Sequence, residues 1–194
     1  MKFPLWLSIG ISILAMQGTL TLPKTVTGIQ PSTAQNNPRT TETKLKTYLV
    51  PKEFSISYPS NWLVERTQNP PGTTPRELLI ITNQKLPKRG GDGLPPNIIK
   101  TDIQIERGAF EKVVAQTFRS ASGSGSRLTQ RGKLTVGGRE AVRLWISEPE
   151  AETIIMLVRY NKNETLYLAS FYARSNPSAI NIIQRIHGSV RVVE

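Results

Sequence analysis

The residue types that carry most enzyme chemistry are scarce in this chain and poorly spaced for it. His187 is the single histidine and there is no cysteine. The missing thiol removes a thiolate nucleophile, a disulfide framework and a lipid-bearing cysteine together. Imidazole titrates near neutrality, so a metal-ligand or general-base role for His187 has to be weighed. It stands just before Gly188, at what reads as a helix C-terminus, where a favourable contact with the helix dipole is the simpler expectation. Glu148, Glu150 and Glu152 surround Pro149. A hard cation such as calcium takes several oxygens of this kind, but no second acidic group lies nearby in sequence, and a solvated turn is expected. Asp92 and Asp102 are the only aspartates and form no recognisable ligand spacing. Serines are plentiful without a Gly-x-Ser-x-Gly elbow. The Gly/Ser run at 120–126 lacks the Gly-Lys-Ser/Thr ending and the feeding strand of a phosphate cradle. No catalysis, cofactor or metal is expected from these residues.

What the chain has in excess is positive charge. Its 194 residues carry 25 Lys and Arg against 14 Asp and Glu, a formal net charge of +11. Lys2 and Lys24 account for two of these charges and the chain from Gln35 onward for +9. A field of this sign speeds encounter with acidic partners, whether protein, anionic lipid or polymer; spread over a surface, it also serves solubility alone. No nucleic-acid motif is visible. Lys85, Lys88 and Arg89 share a loop containing glycines and prolines and are the first candidates for partner contact. Arg139 and Arg143, four residues apart on a strand, share one face and would extend a basic surface.

The N-terminus explains why nucleic acid is not the expected partner. Lys2 is followed by twenty uncharged residues, 3–22, and Ser32-Thr33-Ala34 offers a small-residue cleavage site. The apolar stretch is also long enough to remain as an anchor, so residues 1–34 are either a cleaved signal or a retained N-terminal anchor. In both cases the remainder is expected outside the cytoplasm. Residues 35–44 read as a polar, disordered linker, and 45–194 as one domain with a single core.

The elements follow from periodicity. Phe54, Ile56 and Tyr58 alternate with serines, Pro59-Ser60-Asn61 turns the chain, and Trp62 and Val64 resume alternation. Strands are expected at 77–82 and 98–107, then a helix in which Phe110, Val113, Val114 and Phe118 make one apolar stripe. A meander follows, with Gly137-Gly138 as its first hairpin turn. Ile154, Met156 and Val158 oppose Ile155 and Leu157 in strands that are apolar on both faces, so the sheet must be covered on both sides. A second helix is expected to start from Asn176 as N-cap with Pro177 at its first position and to end at Gly188. The fold class is therefore α+β, an α-β-α sandwich with a central, mostly antiparallel sheet flanked by helices.

The run Phe54-Ser-Ile-Ser-Tyr-Pro-Ser-Asn-Trp62, preceded by a signal and polar linker and followed by a meander and a C-terminal helix, resembles the PsbP-like family. That family comprises extrinsic lumenal proteins of photosystem II and related exported proteins of the DcrB and LpqN kind. The resemblance covers 48–194. It implies an accessory protein without catalysis that docks on an acidic surface, with photosystem II subunits as the photosynthetic instance, and that reaches the membrane through its partner or an uncleaved N-terminus. A monomer is expected. The alternative is a periplasmic module of the same fold that holds a small apolar or anionic ligand between sheet and helix.

Overall fold

The computed structural model describes residues 44–67, 76–87 and 95–193, apart from 124 and 150. The expected signal or anchor and nearly all of the linker lie outside the described residues, as do Lys88 and Arg89. The elements run β1 (Leu45–Val50), β2 (Phe54–Pro59), β3 (Leu63–Thr67), β4 (Arg76–Thr82), β5 (Ile99–Arg107), α1 (Phe110–Ser120), β6 (Arg127–Val136), β7 (Arg139–Ser147), β8 (Glu152–Arg159), β9 (Glu164–Tyr172), α2 (Ala179–Gly188) and β10 (Arg191–Val192).

Two sheets form. The larger has seven strands in the order β3-β4-β5-β9-β8-β7-β6, and the smaller has three in the order β1-β2-β10. Every pairing is antiparallel. The turn at Pro59-Ser60-Asn61 thus does not close a hairpin. It passes the chain from the small sheet to the edge of the large one, and Trp62 N–H donates to the Pro59 carbonyl at 3.0 Å to fix the corner. β7 to β9 are joined by short turns, whereas β5 reaches its partner β9 only after four intervening elements.

Strand alternation places two cores on opposite faces of the large sheet. Ile103, Ile105, Ile154, Met156, Val158, Leu166 and Leu168 point one way, against β2 and the α2 residues Ala179, Ile183 and Ile186. Val142, Leu144, Ile146, Ile155, Leu157 and Ala169 point the other way, against Phe110 and Val113 of α1. The architecture is a sheet-dominated α+β fold. The first face is covered by a second small sheet together with a helix, which the expectation of helices on both sides did not include. β10 is the missed piece: two residues long, it docks on β2 through Arg191↔Ser55 and Val192↔Phe54.

The helix boundaries show one further difference. α2 begins at Ala179, not at Pro177, and Ser178 precedes it without a side-chain cap. Asn176 Oδ1 accepts from Ser178 Oγ at 2.7 Å, so its side chain serves a turn instead of a helical N–H. The far end is held better. Ser189 Oγ donates to the Ile186 carbonyl at 2.6 Å and accepts from Ser57 N–H at 2.8 Å, stapling the end of α2 to β2.

Candidate partner-binding surface

Of the expected basic residues that are described, Lys85 lies apart from Arg139 and Arg143. Lys85 is exposed just beyond β4, and three strands separate β4 from β7 in the large sheet, roughly 19 Å at the usual strand spacing. Arg139 and Arg143 share a face of β7 as expected, but it is the face that also carries Ala141 and Trp145 toward α2 and the small sheet. Arg143 is half-buried there. Its guanidinium lies 5.8 Å from the Trp145 ring centre and its Nη2 3.9 Å from Met156 Sδ. Burial lowers its pKa, and its Nε has no hydrogen-bond partner among the described residues.

His187 lies in the same layer, and its role differs from the expected dipole contact. Ser170 Oγ is 2.8 Å from its Nε2 and 2.8 Å from Thr101 Oγ1; all three residues are fully buried. Desolvation, then the nearby Arg143 charge, pushes the imidazole pKa down to about 3, so the ring is neutral and cannot act as a cation at the helix end. A serine hydrogen-bonded to a histidine is the start of a nucleophile-base pair. Here Ser170 has no exposed surface, and His187 Nδ1 lacks any orienting partner among the described residues. The string is core structure, joining β5, β9 and α2.

The acidic turn is likewise organised from a distance. Arg174 donates from Nε to Glu152 at 2.8 Å and from Nη2 to Ser147 Oγ and the Glu148 carbonyl, both at 2.9 Å. Among the described residues no three histidine or carboxylate side chains come together to hold a metal.

The free cations gather instead on β6 and the adjoining end of α1. β6 is an edge strand of the large sheet, and Arg127, Arg131, Lys133 on it and Arg119 on α1 are all exposed. Lys133 pairs with Val142 and Arg131 with Leu144, so both side chains stand on the α1 face. The Arg131 guanidinium lies 5.3 Å from the Phe118 ring centre. None of these four residues pairs with a carboxylate among the described residues, while the acids nearby are engaged. Arg159 bridges Glu111 and Glu140 and lies 4.8 Å from the Phe110 ring centre. Its hydrogen bond lowers the Glu111 pKa and, in return, its own is raised. Lys100 takes Asp102 at 2.7 Å and Arg174 takes Glu152. The sequence shows an excess of Lys and Arg but not which arginines are internally committed, because Arg159 and Arg174 meet carboxylates 19, 48 and 22 positions away only once the sheet has formed.

Comparisons with known proteins bear on the scaffold. No family model matches the chain, and no curated protein sequence matches it. Among solved structures, cyanobacterial PsbP (CyanoP) from Synechocystis sp. PCC 6803 superposes with a TM-score of 0.50 at 12% identity, covering 82% of this chain and 98% of that one. LpqN from Mycobacterium tuberculosis, described as involved in cell envelope biogenesis, gives 0.45 at 13% identity over 77% of this chain and 92% of that one. The CyanoP match takes in nearly the whole of that protein and most of this one, and the chain described here has the PsbP-like fold.

Proposed function

We propose that this is an exported, non-enzymatic accessory protein that docks onto an acidic protein surface through the β6–α1 edge. Its compartment is a periplasm or thylakoid lumen, and the lumenal face of photosystem II is the partner its family resemblance implies. The observation that carries this reading is the placement of Arg119, Arg127, Arg131 and Lys133 on one edge, exposed and without acidic partners among the described residues, while Glu111, Glu140 and Glu152 are paired with other arginines. Unpaired surface cations contribute little to folding. They do raise association rates and select partners of opposite charge. The same cations protect an exposed strand edge against pairing with other chains.

The test is capture from solubilised membranes of the source organism at low and high salt, using the purified chain as bait. An acidic partner should be retained at about 20 mM salt and lost near 0.5 M, as screening shortens the reach of the field. The triple variant Arg127→Glu, Arg131→Glu, Lys133→Glu should reduce capture at least tenfold. Retention that ignores both salt and charge reversal would remove this edge as the docking surface.

A further inference from the structure

Beneath α1, on the β6 side, the structure holds a groove of about 470 Å³, within the size range of small-molecule sites. Its apolar wall is Phe110, Val114 and Phe118 from the helix and Val142 from β7. Phe110 and Val142 are buried, and Val114 and Phe118 are partly buried against the same cluster, so this wall is continuous with the second core. The two ends of the groove differ in charge. At the α1 N-terminus Glu111 and Glu140 are both tied to Arg159, which leaves that end with one net negative charge. Toward the α1 C-terminus Arg119, Arg131 and Lys133 line the groove, without acidic partners among the described residues. An apolar wall leading to unpaired cations matches a ligand that is itself apolar along its length and anionic at one end.

We propose that this groove binds one acyl chain of an anionic amphiphile whose head is a carboxylate or a phosphate. The head is held by Arg119, Arg131 and Lys133 and the chain lies along α1 over Val114 and Val142. A purely polar anion would leave the aromatic and aliphatic wall unused, and a neutral amphiphile would bury the cationic end without compensation. The eleven-residue α1 is about 16 Å long, which sets the length of chain the groove accommodates. This goes beyond docking on an acidic protein and does not depend on it.

The experiment is titration of the purified chain with saturated fatty acids of eight to sixteen carbons, followed by displacement of a fluorescent twelve-carbon fatty acid. Affinity should rise about fourfold per buried methylene until the groove is filled, then level off. Dodecyl maltoside, with a neutral head, should bind at least tenfold more weakly than laurate, and dodecyltrimethylammonium not detectably. Ala115 is an exposed residue of α1 that lines the groove, so Ala115→Trp should abolish displacement without altering charge. Arg131→Glu with Lys133→Glu should abolish the preference for laurate over the maltoside. Sedimentation with phosphatidylglycerol and phosphatidylcholine vesicles separates the two sources of such a chain. Vesicle binding that Ala115→Trp removes assigns a membrane lipid; laurate binding without vesicle binding assigns a free acyl anion. Equal affinity for anionic and neutral heads, or laurate binding that survives Ala115→Trp, overturns the proposal. Salt-sensitive protein capture that persists in Ala115→Trp would leave the docking reading intact while the groove reading stands or falls on the titration.

Discussion

At the scale of single residues, His187 shows how completely burial can redirect a side chain. In sequence it is a histidine beside a helix-ending glycine; in the fold it is fully buried, bonded to Ser170 and facing the Arg143 charge. Its pKa in the folded state is pushed down to about 3, against an ordinary value near 6.5 when unfolded. The unfolded chain therefore binds more protons between these two values, and stability falls as pH drops through that window. From pH 7 to pH 5 the imidazole alone should cost about 2 kcal/mol. His187→Gln keeps a polar group near Ser170 and does not titrate. Urea unfolding at pH 7 and pH 5 should show the variant losing about 2 kcal/mol less than the parent over that interval. Parallel losses in both proteins would show that His187 does not drive the acid sensitivity. Nothing in the local sequence could have announced this, since Ser170, 17 positions away, meets the ring only where α2 packs on the sheet, and Thr101 reaches Ser170 through the β5–β9 pairing.

At the scale of elements, what local pattern specifies was legible and what depends on partners was not. The β2 alternation, the α1 stripe and the doubly apolar β8 all stand as their residues implied, because each is a period read within one segment. The assignment of β2 and β3 to different sheets and the two-residue β10 depended on contacts across the chain. The free cations of β6 could be named from sequence, but their freedom could not, since it follows from where Arg159 and Arg174 spend themselves. The β6–β7 hairpin joins these two kinds of information. Gly137 and Gly138 have φ of +57° and +79°, as a two-residue turn of this twist requires. Only Gly137 has a tertiary reason as well: a Cβ there would lie 2.8 Å from the Val190 carbonyl, where the α2–β10 link crosses. At Gly138 the same atom meets open space. Gly138→Ala should thus cost about 1 kcal/mol for backbone strain alone. Gly137→Ala should cost at least about 1 kcal/mol more, and its loss should come with weaker amide protection in β10 and β2. Equal midpoints in urea for the two variants would mean that the crossing link yields without cost.

At the scale of the whole molecule, salt should act on folding and on docking with opposite sign. From Gln35 onward the chain carries +9, and a compact body of that charge is destabilised by its own repulsion. Its visible ion pairs are mostly exposed, so screening them costs little. Raising sodium chloride from about 20 to 200 mM shortens the Debye length from roughly 20 Å to below 10 Å. That weakens repulsion between elements while leaving the two cores untouched. The thermal midpoint should rise by about 2–4 °C, equivalent to about 1 kcal/mol in a domain of this size, and chloride avoids the surface-exclusion effect of sulfate or phosphate. Over the same interval, capture of an acidic partner should weaken. The variant Arg127→Glu, Arg131→Glu, Lys133→Glu makes the link direct, since it replaces three positive charges on one edge by three negative ones. It should raise the midpoint at low salt, flatten its salt dependence and abolish capture together. A midpoint that falls with added chloride would show that the surface pairs outweigh the repulsion. The surplus charge would then have to be understood as part of what holds the fold together instead of as a surface kept available for a partner.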